Sequence, residues 1–213
     1  MLASHRPQVG YHEDHRMTGT VKLTPEFEFL LRLDELKDLE RQNPLASSPR
    51  REGVAEHCWS VALATILMRD EARDEIDLGH AVLLAVVHDV VEQFVGDTFA
   101  FGSETHGQFA REHEAMARLE NDHDESPGIL RVIELWREYE DQKTPEARFV
   151  KGLDALLPIA QNYRNLEHSS WLKHHVAADQ VMTRLNYHGD VGDTLRPFGE
   201  KMIADAKEQG YLT

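Results

Sequence analysis

An all-α bundle of roughly seven to nine helices is the fold class that this 213-residue sequence predicts. Three observations carry that expectation. Apolar residues recur at helical spacing in one segment after another. The longest apolar stretches exceed the roughly eight residues of a buried strand. No segment alternates at period two, and no internal repeat is visible.

In chain order, residues 1 to about 22 are polar and aperiodic, with Pro7, Gly10 and Gly19, and read as a flexible N-terminal extension. Thr24-Pro25-Glu26 supplies an N-cap, a proline at the first helical position and an acid in the first turn. The helix it opens is expected to continue through FEFLLRLDELKDLERQ, with Phe27, Leu30, Leu31 and Leu36 on one face. Asn43-Pro44 and Ser47-Ser48-Pro49 then punctuate a loop. A second helix, about 53 to 71, is apolar on nearly every side. The third, about 78 to 94, contains LLAVVHDVVEQFVGD; valine favours strands, but the length decides for helix. Further helices are expected at about 105 to 121, 127 to 141, 145 to 166, 174 to 186 and 193 to 209, and Pro127 and Pro145 mark two of the starts. Residues 23 to 213 are expected to form a single domain whose core centres on the second, third and sixth helices.

Composition narrows the function. With 41% hydrophobic and 29% charged residues the chain matches an ordinary globular protein. Its net charge of -15 repels a phosphate backbone, which argues against a nucleic-acid polymer as partner but leaves room for a small phosphorylated ligand in a locally cationic cleft. The one cysteine, Cys58, excludes an intrachain disulfide and a cysteine-rich zinc module, and suits a reducing compartment, so the cytoplasm is expected. No unbroken apolar run approaches the roughly 20 residues of a membrane helix. Trp136, Trp171 and Phe198, on otherwise polar helices, suggest a homodimer.

The stretch LLAVVHDVVEQFVGD poses the chemical question, because a buried carboxylate must be paired, protonated or bound to a metal. His57 shares a helical face with Val61, Ala64 and Met68; taken alone, it reads most simply as a core histidine. His88-Asp89 interrupts a second apolar helix, and Asp154 interrupts a third within KGLDALL. Together His57, His88, Asp89 and Asp154 form a ligand set for one divalent ion of the Co, Mn, Mg, Zn or Fe type. Such an ion lowers the pKa of water and neutralises phosphoryl charge. Glu92 follows Asp89 by three residues and Asp97 follows Gly96 at the helix exit, so both are candidate catalytic acids or bases.

At these residues the chain resembles the HD-domain metal-dependent phosphohydrolases, whose His, His-Asp and distant Asp are met by His57, His88-Asp89 and Asp154. Three segments, EGVAEHCWSVAL, HDVVEQFVGDT and ELWREYEDQKTPEARFVKGLDALLPIAQNY, are similar to the 5′-deoxynucleotidase-like branch, over about residue 26 to the end. The resemblance implies an HD-domain helical bundle, metal binding by those four residues and catalysis by Glu92 and Asp97. It also implies an arginine for the substrate phosphate: Arg41, with Arg50 and Arg51 as competitors. Hydrolysis of nucleoside, most often deoxyribonucleoside, 5′-monophosphates by water is the activity it points to. Two alternatives stand beside it. A triphosphohydrolase would need further cations, for which Lys151, Arg148 and Arg164 are at hand, and a nucleotide-binding regulatory module would need no turnover. His106 and His113, seven apart, would serve a second metal if they faced inward, but GSETHGQFAREHEAMARLE is polar and reads as an exposed helix.

Overall fold

The computed structural model describes residues 21–102, 107–188 and 192–213. Helix α1, Pro25–Arg32, starts as its signals dictate: the Thr24 hydroxyl accepts from the Phe27 N–H and Pro25 occupies the first turn. It ends ten residues earlier than expected, and it buries Phe29, while Phe27, Leu30 and Leu31, expected on the buried face, are exposed. Leu33–Lys37 tightens into a 3-10 helix, and the chain then forms an antiparallel hairpin of β1, Glu40–Leu45, and β2, Ser48–Gly53. The hairpin corrects the expectation of a loop. Its register shifts between Glu40 and Leu45, and neither strand alternates cleanly in burial, so its sequence carried no period-two signal. Pro44 and Pro49 are tolerated because a two-stranded ribbon has outer edges that need no N–H.

Helix α2, Val54–Leu67, follows directly, and the Glu56 carboxylate accepts from the Gly53 N–H at its start. Helix α3, Leu78–Val87, is capped by Asp77 and stops immediately before His88. The predicted helix to 94 is thus broken at its polar residues. The His88 imidazole takes up the Ala85 carbonyl at 2.8 Å, and three-residue turns carry the chain to the short α4, Glu92–Val95. By length and composition Leu78–Val95 would pass for a membrane span, but Ala81, Leu84, Ala85 and Val87 face the protein core and the break falls where the carboxylates lie. Gly96 ends α4 with φ of 77°, a conformation that glycine adopts without strain and that turns Asp97 back over the break.

The remaining helices are α5, Gln108–Asp122; α6, Pro127–Asp141; α7, Pro145–Arg164; the short α8, Ser170–His174; α9, Ala178–His188; and α10, Gly192–Glu208. The helix expected over 174 to 186 starts four residues later as α9, and the short α8 before it was not anticipated. Helix α7 lies at the centre, against α2, α3, α6, α9, α10 and β1. The main core joins Val61, Leu84, Leu153, Ile159, Leu185 and Ile203; a second gathers Val91, Met116, Ile133 and Trp136 between α5 and α6. Trp136 and Trp171 are fully buried, so neither is available to a partner; of the three residues that suggested a dimer, Phe198 alone is exposed. The C-terminal Tyr211–Thr213 returns to pair with the backbone at Val176 and Ala178.

Candidate active site

Where α3 breaks, the two cores meet the hairpin and α7, and a cavity of about 500 Å³ opens between them. Three side chains converge on its floor. His57 Nε2 lies 2.9 Å from Asp154 Oδ1, and ligand atoms of His57, His88 and Asp154 all fall within 4.8 Å of one another. His57 and His88 are fully buried and Asp154 nearly so. Asp89 completes the group through His88, whose Nε2 is 3.2 Å from Asp89 Oδ2, and the Cys58 thiol sits within the same reach of His88 and Asp89.

The hydrogen bonds fix which nitrogens are available. His57 Nδ1 faces the buried carboxylate of Glu52 at 3.2 Å; a carboxylate only accepts, so Nδ1 carries a hydrogen, and Nε2, turned to Asp154 Oδ1, is the nitrogen that would exchange its proton for a metal ion. His88 Nδ1 likewise donates to the Ala85 carbonyl, which leaves Nε2 buried with no hydrogen-bond partner among the described residues. Asp154 Oδ2 accepts from the Tyr139 hydroxyl at 2.9 Å, and its other oxygen turns to the histidines. Two imidazole lone pairs and two carboxylates aimed at one point repel each other unless positive charge lies among them. These residues therefore fit a divalent ion, and the outer partners Glu52, Ala85 and Tyr139 hold the ligands in the binding orientation.

The electrostatics state the same demand. Burial pushes the His88 imidazole toward its neutral form, yet Asp89 and Cys58 outweigh it and hold it well above the usual range. Burial also works against ionised Asp89 and Asp154. For Asp89 the charges of His88 and Arg41 reverse the outcome, and for Asp154 the His57 hydrogen bond and the two imidazoles do, so both are held below the carboxylate range. Glu92 differs: burial and then Asp89 push its carboxyl well up, and its Oε2 is buried without a hydrogen bond among the described residues. Asp97 is raised by burial despite Arg41.

Arg41 reaches this group from the hairpin. Its Nη1 donates to Asp89 Oδ2 at 2.9 Å and lies 3.8 Å from Asp97, while its Nε is buried and unbonded among the described residues. Burial would lower its pKa, but Asp89, Glu92, Asp97 and Asp154 hold the guanidinium charged. Its competitors do not enter the cavity. Arg50 forms a two-pronged pair with Glu56 on the surface, and Arg51 lies near Glu40 at 3.9 Å, beside a separate groove. Lys151 does line the cavity, donating to Glu140 at 2.9 Å over the Tyr139 ring, whereas Arg148 pairs with Asp74 and Arg164 is exposed.

Of the two extra histidines, His106 lies outside the described residues. His113 stacks between Phe109 and Trp136, away from the metal ligands. The inward residue of α5 is its neighbour Glu112, which lines the cavity and which burial pushes up to about 7 against its bond from Gln108. Sequence reasoning missed Glu112, Glu52, Tyr139 and Arg184, which also lines the cavity.

Comparison with known proteins decides the family. A profile of the HD domain matches residues 33–190, which spans every residue of the metal group. This chain belongs to the HD-domain family. Among curated HD-domain relatives, human 5′-deoxynucleotidase HDDC2 is 35% identical over 147 residues, covering 66% of this chain and 69% of that protein. The mouse protein of the same name is 34% identical over 145 residues, covering 65% and 70%. In structure, a predicted metal-dependent phosphohydrolase from Magnetospirillum magnetotacticum MS-1 superposes with a TM-score of 0.78 at 30% identity, over 88% of this chain and 94% of its own.

Proposed function

We propose that this HD-domain protein hydrolyses the phosphomonoester of nucleoside 5′-monophosphates, with deoxyribonucleotides preferred. The observation that carries the reading is the convergence of His57, His88 and Asp154, with Asp89 beside His88 and its partner Arg41 on the wall of the same cavity. The names and similarity of the 5′-deoxynucleotidase relatives support the substrate class. A divalent ion held by the four ligands supplies Lewis acidity toward water and the phosphoryl oxygens. The chain's own residues do the rest. Arg41 brings its charged guanidinium to the cavity wall for a phosphate oxygen and keeps Asp97 beside the reacting centre. Asp97 accepts a proton as water adds to phosphorus. The P–O5′ bond then breaks, and Glu92, whose buried carboxyl retains its proton, protonates the departing O5′.

A monophosphate suits the cavity better than a triphosphate. Among the described residues its wall carries three cations, Arg41, Lys151 and Arg184, against six acids: Asp89, Glu92, Asp97, Glu112, Glu140 and Asp154. With a divalent ion bound and Glu92 protonated the wall is about neutral, so it offers no surplus of positive charge for two further phosphates. The reading includes a cytoplasmic dimer of identical chains, and the net charge of -15 supports the further part of it, that the chain engages neither nucleic-acid polymers nor anionic membranes. The experiment is incubation of manganese- or cobalt-loaded protein with dAMP and dATP, with products identified by phosphorus NMR and His88→Ala as control. Orthophosphate from dAMP, lost in the variant, is expected; tripolyphosphate from dATP with dAMP untouched overturns the assignment.

A further inference from the structure

Among the described residues, ligand atoms of three His, Cys, Asp or Glu side chains gather within 4.8 Å of one another in two places, and the two places share a residue. The first is the group of His57, His88 and Asp154. The second is Cys58, His88 and Asp89. Cys58 follows His57 on α2, and one residue turns a helix by about 100°, so the thiol leaves α2 on a different side, with Leu36 and Val54 packed behind it. A buried thiol among apolar neighbours needs no polar company. This one meets an imidazole and a carboxylate.

His88 supplies the second observation. Its Nδ1 donates to the Ala85 carbonyl, so Nε2 is the one atom it can give to an ion, and Nε2 is buried without a hydrogen bond among the described residues, 3.2 Å from Asp89 Oδ2. We propose that Cys58, His88 and Asp89 form a second ligand set, selective for thiophilic divalent ions of the zinc and cadmium kind, that competes with the first set for His88. Both sets need the same Nε2, so they cannot be filled together, and the softness of the donors decides between them. Manganese and magnesium favour the first set, which offers only nitrogen and oxygen, whereas zinc gains a thiolate as it takes the place of the thiol hydrogen. An ion held by the second set leaves His57 and Asp154 one ligand short and draws Asp89 away from Arg41. Zinc is thereby a brake on the ion that serves the cavity. The inference rests on the reading of His88 and Asp89 as metal ligands, and it adds a donor that lies outside the His, His-Asp and Asp pattern.

Cadmium reports the donor directly, because a thiolate ligand moves the cadmium NMR resonance far downfield of one bound by nitrogen and oxygen alone. The wild-type resonance is expected in the thiolate range. Cys58→Ser and Cys58→Ala should each return it to the nitrogen and oxygen range while the circular dichroism stays native. In manganese-loaded protein, the zinc needed to release half of the manganese, read from the free-ion electron paramagnetic resonance signal, should rise about tenfold or more in either variant. Manganese affinity itself should stay within about twofold of wild type. Wild-type protein that binds manganese but holds cadmium without a thiolate overturns the inference and leaves the metal group standing. So does a zinc requirement that Cys58→Ser leaves unchanged, or a loss of zinc and manganese affinity by the same factor in both variants, which is the mark of a packing role. Wild-type protein that binds none of the three ions overturns the inference and the metal reading together.

Discussion

Glu52 stands five residues before His57 on a different element, and its carboxylate nevertheless decides which imidazole nitrogen faces the metal site. Glu52→Gln keeps the shape but not the charge; metal affinity is expected to fall roughly 10- to 100-fold in competition with a chelating dye. Glu112 gives a second test at this scale. Its folded pKa of about 7 lies above the ordinary 4.5, so the folded state holds its proton longer than the unfolded chain. Stability is therefore lost as pH rises from 4.5 through 7, by up to about 3 kcal/mol. Glu112→Gln should stabilise the protein above pH 7 and change little below pH 4.5 in urea titrations. His57, His88, Asp89 and Asp154 were legible in the sequence because each interrupts an apolar helix, where an ionisable side chain needs a reason. Glu52, Tyr139 and Glu112 were not: each sits among polar neighbours, and their relevance arises from contacts made by the fold.

The hairpin of β1 and β2 shows what helical periodicity cannot reveal. Its residues read as a loop, yet the ribbon carries Arg41 into the cavity and leaves Arg50 and Arg51 outside it. Arg41→Ala is expected to lower kcat/KM by about two orders of magnitude or more, while Arg50→Ala changes it less than twofold; equal losses in steady-state kinetics would contradict that placement. The starts of helices that carry a proline or a capping residue were read to within a few residues. The helix ends at Arg32 and Val87 were overestimated, because apolar spacing continued past the points where the chain tightens into turns. At the start of α10, Gly192 has φ of 69°, and a Cβ there would stand 2.1 Å from the Glu71 carbonyl oxygen. Gly192→Ala should thus cost about 1–3 kcal/mol or more in denaturant unfolding.

Across the whole molecule, an ion that binds the folded ligand set and not the unfolded chain links stability to metal concentration. Added manganese should raise the melting temperature in calorimetry, and His88→Ala should abolish the rise. The all-α class and the centring of the core on α2, α3 and α7 were readable from apolar patterning, whereas the buried places of Trp136 and Trp171 were not, since their own helices are polar along much of their length. One element joins all of these parts. Along α7, Asp154 serves the metal group, Gln161 donates to Glu52, Asn162 to Asn43, and Asn165 to the carbonyls of Leu45 and Ser48 at both sides of the hairpin turn. Between Asp154 and Asn165 the helix makes about three turns, and deleting one residue there would swing the two ends about 100° apart. The arginine's hairpin and the metal's aspartate would then no longer address the same cavity, so this stretch can exchange side chains over evolutionary time but cannot change its length.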